Sequence, residues 1–393
     1  MKELKRTVYF ISFPLSFVGF IFPIYASHIG ASTIQIGYLF SIFSIIGIIM
    51  RPMVGNLVDK KGRKIGIIIG TVLYALTNIF YVLAKDFKLL LAGRLVQSLG
   101  AAILWISVDT FVSDISDKTN RGKSFGILNE TMAKGQWIGS IIGFTILFYG
   151  ISKEPFKLAF MIFLFTSLLA VFYAIKELPE TVNFKKEYEK GSIKDKKHLK
   201  YFLIIIGCIS FISNLTAPIY LLYLQENTTK DLGLICLLFI PAAILELFLP
   251  RRFGSFSDKV GREKVVIIGM FINAMLQIFI PFNKGYYSFM ALYTLISLAG
   301  IFYSPSFNSL IIDFVGEDKR GRSYGLYSFT NGIGSALGPI VGSYIYENLG
   351  KDIVFYIKGI LLVVMTLLVC YSYIKYNKQN KDIMILKRGS KYE

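Results

Sequence analysis

The chain has 393 residues, of which 54% are hydrophobic, 15% aromatic and only 17% charged, with a mean hydropathy of +0.57. A soluble domain carries about a quarter charged residues, so this composition excludes a water-soluble enzyme or binding module and indicates a chain that lives in lipid. The net charge of +18 must then lie outside the apolar runs.

A run of about 20 apolar residues crosses a hydrocarbon core of about 30 Å, because a helix rises about 1.5 Å per residue. Such runs predict twelve spans, at 8–27, 33–54, 65–84, 88–112, 123–149, 157–176, 201–224, 231–250, 264–282, 286–312, 322–346 and 352–375. All are expected to be helices, since no water within a bilayer satisfies backbone groups and the runs lack the alternation of barrel strands. The first run has no small-residue cleavage pattern behind it and is expected to be a retained helix.

Most of the 43 Lys and Arg residues fall on the side that holds both termini, notably in KKEYEKGSIKDKKHLK (185–200) and after Tyr376. That asymmetry predicts cytoplasmic termini in a multi-pass protein of the cytoplasmic membrane. It also predicts attraction to anionic lipid; nucleic acid is not an expected partner, because the basic residues are dispersed among short loops. Cys208, Cys236 and Cys370 lie inside apolar runs, and His28 and His198 stand alone. No metal site, cofactor or disulfide framework is expected.

GNLVDKKGRK (55–64) returns as GSFSDKVGREK (254–264). A constant offset of 199 relates Gly55, Asp59, Gly62 and Arg63 to Gly254, Asp258, Gly261 and Arg262, and Asp114 to Asp313. It also relates RGKSFG (121–126) to RGRSYG (320–325), and Gly135, Gly139 and Gly143 to Gly334, Gly338 and Gly342. An offset kept over four separated segments signals a duplication: six spans plus six in parallel orientation. The expected organisation is a bundle at 1–177, a basic linker at 178–200, a second bundle at 201–376 and a basic tail at 377–393.

Gly55, Leu57, Asp59, Lys60, Gly62, Arg63 and Lys64 match Gly-x-Leu-x-Asp-(Arg/Lys)-x-Gly-Arg-(Arg/Lys), and the chain resembles the major facilitator superfamily along essentially its whole length. The resemblance implies an all-α polytopic membrane protein of twelve transmembrane helices, two six-helix bundles related by a pseudo-twofold axis and rocking about a central cavity. It implies a secondary transporter, not an enzyme. No ATP site is required, and no Gly-x-x-x-x-Gly-Lys-Ser/Thr loop is present. The motif residues Gly55, Asp59, Gly62, Arg63 and Asp114, with Gly254, Asp258, Gly261, Arg262 and Asp313, are read as a conformational latch at the membrane boundary. The competing reading is that they set topology and tighten a turn.

RLVQSLGAA (94–102) is similar to the Arg-x-x-Gln-Gly-x-Gly-Ala motif of proton-coupled drug exporters, with Arg94 and Gln97 retained. GQWIGSIIG (135–143) is similar to the exporter pattern Gly-x-x-x-Gly-Pro-x-x-Gly, with Ser140 in place of proline; GSALGPIVG (334–342) keeps Pro339. Glycines four apart also make an ordinary packing seam. Arg94 in an apolar span is costly and belongs in a wet or protein-lined place, unless it snorkels outward.

Energy coupling needs a group that changes charge, and Arg94, Asp109, Glu130 and Lys134 are the candidates; a structural ion pair of Glu130 and Lys134 is the alternative. Glu246 is expected in a boundary salt bridge beside Arg251 and Arg252, and Lys358 at the lipid face. The family resemblance places spans 1, 4, 7 and 10 around the cavity, giving Phe17, Gln97, Trp105, Asn214, Tyr220, Tyr303 and Asn308 as lining residues. Pro14, Pro23 and Pro218 are expected to break spans 1 and 7. A largely apolar cavity with one acid suits an amphiphilic or cationic small molecule, so proton-coupled efflux by a monomer is the leading expectation. Proton-coupled uptake of a sugar or organic anion, and a non-transporting sensor or assembly factor on the same scaffold, stand beside it.

Overall fold

A chain that cannot hydrogen-bond to water must close its backbone bonds within each segment, and in the computed structural model every regular element among the described residues is helical. The structure describes residues 2–116, 121–149, 151–181, 196–315 and 320–389, with side chains for all of these except 52, 56, 59, 121–123, 196–202, 247, 251, 308–315, 320–328 and 372–389.

The helices are α1 (Lys2–Ile11), α2 (Phe13–His28), α3 (Thr33–Lys61), α4 (Arg63–Leu83), α5 (Phe87–Asp114), α6 (Arg121–Phe148) and α7 (Pro155–Glu177). They continue as α8 (Lys196–Asn214), α9 (Tyr220–Asn227), α10 (Leu232–Phe248), α11 (Pro250–Val260), α12 (Arg262–Ile278), α13 (Tyr286–Val315), α14 (Arg320–Asn348) and α15 (Ile353–Gly389). The starts of α3, α4, α5 and α6 recur in α10, α12, α13 and α14 after 199 residues each time, so the sequence repeat is also a repeat of helix register. Its caps repeat too. Ser32 forms a capping box with Gln35 ahead of α3, and the Asp231 carboxylate accepts from the N–H groups of Gly233 (2.7 Å) and Leu234 (3.2 Å) ahead of α10.

Three departures from the expected spans have proline nearby. The first span is two helices meeting at Ser12, two residues before Pro14, whereas Pro23 sits inside α2 without a break. The seventh is divided by a turn over 215–219; Pro218 has no N–H to offer the Asn214 carbonyl. Where α3 runs unbroken, its repeat is split into α10 and α11 at Leu249, because Pro250 begins a new helix.

The helices present apolar side chains outward, among them Ile49, Phe165, Phe248 and Leu367, as a lipid-facing surface requires. Among the described residues eight helices are long and apolar enough to cross a membrane, with α1 and α2 counted as one, and α9 with α10, bent by 117°, adds a ninth if read as one span. Helices α6 and α14, at 28 and 29 residues, have the length but carry more polar residues. Twelve crossings are consistent with this set.

Two compact units divide the chain. The first is built from α1–α7, joined by Ala217–Leu222 and Ser335–Glu347; the second holds the remainder of α8–α15. In the first unit Val8, Ile67, Leu104, Phe111 and Ala170 are fully buried in one apolar core drawn from α1, α4, α5 and α7. Glycine lets its helices approach closely. A β-carbon at Gly70 would strike the backbone of Leu104, and one at Gly139 would strike the Phe13 carbonyl. Gly135, Gly139 and Gly143 thus seat α6 against α1 and α2, the packing-seam reading of this stripe. In the second unit a β-carbon at Gly334 would meet the Gly207 carbonyl and the Phe211 amide, and one at Gly359 the Ala274 carbonyl.

These contacts predict that Gly139→Leu overpacks the α2–α6 seam and lowers stability by about 1–3 kcal/mol, read as a lower Tm and poorer monodispersity in detergent. Gly47→Ala, at a position with open space around it, should leave both unchanged.

Candidate functional site

The charged motif lies almost wholly on helix. α3 extends through Lys61, and the chain reverses at one residue, Gly62, whose φ of 104° is in the region that favours glycine. Gly261 repeats this with φ 108°. Gly55 and Gly254 do something else. They lie inside α3 and α11, and a β-carbon would find open space at Gly55 and ordinary contact with Pro305 at Gly254. Of these four motif glycines, Gly62 and Gly261 make the tight turn.

Arg63, the first residue of α4, is buried, and its guanidinium fastens three elements. Nε donates to the Asp114 carboxylate at the end of α5 (2.8 Å), and Nη1 donates to the Val58 carbonyl in the last turn of α3 (2.9 Å). Glu180, just beyond α7, completes the knot. Its carboxylate accepts from the backbone N–H groups of Arg63 (2.9 Å) and Lys64 (3.2 Å), and a β-carbon at position 62 would collide with it. An anion at a helix N-terminus satisfies orphan donors and meets the positive end of the helix dipole. The Thr181 hydroxyl adds a 3.3 Å bond to Asp114.

Asp114 is thus a carboxylate that Arg63 engages among the described residues; the side chains of Asp59, Asp313 and Asn308 lie outside them. In the second unit Arg262, the first residue of α12, pairs with Asp258 near the end of α11 at 2.9 Å, with the two side chains 36% and 57% exposed. Such an exposed pair contributes little. In the first-unit knot Arg63 is only 7% exposed.

Arg94 does not snorkel. It is 8% exposed, and its guanidinium lies over the rings of Phe22, Phe40 and Phe43, 4.5–5.2 Å from their centroids. Nε donates to the Leu39 carbonyl at 3.1 Å and Nη1 to Gln97 Oε1 at 2.6 Å. The Tyr81 hydroxyl donates to the same Gln97 oxygen at 2.9 Å, and the Tyr25 hydroxyl to the Tyr81 carbonyl at 2.5 Å. Aromatic faces and a carbonyl solvate this cation. Gln97 belongs to the cage and is buried with it.

Of the proposed coupling residues, the structure pairs Glu130 with Lys134 and separates Asp109 from Arg94 along α5. Asp109 stands fifteen residues after Arg94 on the same helix, about 22 Å along it. Glu130 and Lys134 form a 2.6 Å pair one turn apart, 62% and 65% exposed. Asp109 is exposed and makes no hydrogen bond or ion pair among the described residues. One turn before it, Trp105 packs against the first-unit core and its Nε1–H donates to the Tyr74 hydroxyl at 3.3 Å.

The other expected lining residues divide. Phe17 is fully buried, packed at 5.3 Å on both Phe144 and Phe163, because α2 is wedged against α6 and α7. Asn214 donates to the Ser210 carbonyl at 2.8 Å and Tyr303 packs over Gly269, both half-buried, as is Tyr220. Glu246 is exposed and forms no ion pair among the described residues. Cys208, Cys236 and Cys370 are free thiols.

Glu180 and the Arg94 cage escaped sequence reasoning. The available signal for Glu180 was an acid in ELPET, directly after a span and facing no charge pattern of its own. For the cage it was three phenylalanines on two helices, indistinguishable from their apolar neighbours.

The profile of the Major Facilitator Superfamily matches residues 7–250 and, a second time, 202–383. The chain is 25% identical over 368 residues to multidrug resistance protein 2 of Bacillus subtilis, covering 88% of this chain and 89% of that protein. It is 22% identical over 337 residues to quinolone resistance protein NorA of Staphylococcus aureus, covering 83% and 84%. Among solved structures, a POT family transporter in complex with 5-aminolevulinic acid has a TM-score of 0.77 at 13% identity, over 94% of this chain and 95% of that one. The human organic anion transporter MFSD10 has a TM-score of 0.64 at 16% identity, over 94% and 100%. These likenesses show the fold.

The Glu180 cap predicts that Glu180→Ala lowers stability by about 1 kcal/mol, read as a fall in Tm in detergent. Glu180→Gln, which keeps an acceptor but not the charge, should lose less. Equal Tm values for all three proteins would remove Glu180 from the knot.

Proposed function

Because the chain belongs to the major facilitator superfamily, a family of membrane transporters, we propose that it is a secondary transporter exporting small amphiphilic or cationic molecules in exchange for protons by alternating access. The observation that carries this reading is Asp109, an exposed carboxylate on a membrane-spanning helix with no bonded partner among the described residues. A charge in an apolar wall is costly. It is relieved either by a proton or by a cationic guest, and when the two exclude one another the carboxylate exchanges them. Trp105, one turn away on α5, offers an aromatic edge of the kind that receives the apolar body of such a guest.

The drug-resistance names of two relatives support the same direction and substrate class. Organic-anion uptake finds less support. Two cations of the first unit that an organic anion could meet are already engaged, Arg94 by its aromatic cage and Lys134 by Glu130.

The test is transport of ethidium in proteoliposomes under an imposed pH gradient. The purified protein should move the dye against the proton gradient. Asp109→Asn should cut proton-driven movement at least about tenfold while leaving Tm unchanged, and Asp109→Glu should retain most of it. Undiminished exchange in Asp109→Asn would contradict the assignment.

A further inference from the structure

Lys358 was expected at the lipid face, where a long side chain reaches water. The structure buries it instead, 8% exposed on α15, with Nζ donating to the Thr216 hydroxyl at 2.6 Å. Thr216 is its one hydrogen-bonding partner among the described residues, and no carboxylate pairs with it. A methionine of similar length would fill this place without bringing an ammonium into an apolar bundle, so packing does not explain a lysine here. What the ammonium adds is a directed bond, and the place it is directed to is unusual.

Thr216 lies in the turn that divides α8 from α9. Several helical threonines in this chain turn their hydroxyls back to the carbonyl four residues earlier, as Thr294 does to Met290 and Thr366 to Leu362. Thr216 has no such helix around it, and its hydroxyl accepts from Lys358. Beyond the turn α9 is fastened to the start of the same helix and to the two residues before it. The Tyr223 hydroxyl donates to Asp352 at 2.6 Å, the Tyr223 and Phe355 rings lie 4.5 Å apart, and Glu226 pairs with Lys351 at 2.8 Å.

Phe355 and Lys358 lie three apart on α15, and Asp352, three before Phe355, directly precedes its first residue, so the three make one stripe at the start of α15. That stripe holds the chain on both sides of the break. Thr216 and Tyr223 are also where the second unit ends and resumes around Ala217–Leu222. Both flanks of the excursion are therefore secured to one helix.

We infer that Lys358 is a positioning residue: through Thr216 it pins the break in the seventh span, so that α9 and the start of α15 move together during transport. Replacing both partners by apolar groups should leave the fold intact while freeing the turn, since neither change then buries an unmet polar group.

The test is amide hydrogen exchange of the full-length protein in lipid nanodiscs, read over 215–224. Exchange there should rise about tenfold in Lys358→Met and in Thr216→Val, and no further in the double variant, while Thr216→Ser keeps the wild-type rate. The same variants, with ethidium as the probe, should lower kcat with little change in KM, and Thr216→Ser should restore it. The exchange measurement stands without the transport reading; the kinetic one rests on it, so the two failures are distinguishable. Unchanged exchange in both single variants, or additive effects in the double, would overturn the inference. Should Lys358→Met fail to fold, the contrast of Thr216→Val with Thr216→Ser decides the question.

Discussion

One guanidinium holds the first unit together at its charged end. Arg63 reaches back to the last turn of α3, across to the terminal carboxylate of α5, and offers its own N–H to Glu180 beyond α7. Gly62 makes this possible, because a single residue with positive φ turns the chain so sharply that Arg63 starts a helix only five residues after the carbonyl it binds. Partial burial strengthens the pair over one in open solvent. All these described partners belong to the first unit. These described contacts brace one bundle at its charged end, and the conformational latch expected of the same residues stands beside them as a proposal.

The duplication makes the asymmetry informative. The second unit copies the turn, the glycine and the Asp–Arg spacing, and there the described ion pair joins the end of α11 to the start of α12. The first unit has the buried brace and the Arg94 cage; the second has the broken seventh span and its strap to α15. Charge is handled differently in each. In the first, two cations are fixed by neighbours and one carboxylate is left unbonded among the described residues, while in the second a lone buried ammonium is directed at a turn.

Much of this fold was legible in the sequence for physical reasons. Apolar runs of membrane length must be helices, and an offset that survives four intervening segments forces equal element lengths, so α3 to α6 and their repeats start in register. Proline located the break in the seventh span and the neighbourhood of the break in the first. Partners were harder to read. The Leu39 carbonyl that binds Arg94 has no side-chain signature, and the phenylalanines around it look like ordinary lipid-facing residues. Glu180 fell within a segment assigned to a linker. Phe17 shares its spacing with cavity-lining residues but is wedged between two helices, a distinction that depends on how α2 leans and not on its periodicity.

The brace is tested most directly by electron–electron spin distances between labels at Lys61→Cys and Ile115→Cys, beside the ends of α3 and α5, in nanodiscs. A rigid first unit predicts one narrow distance that stays fixed on acidification and on adding ethidium, and that broadens in Arg63→Ala. A second distance appearing in the otherwise unchanged protein under either condition would contradict it.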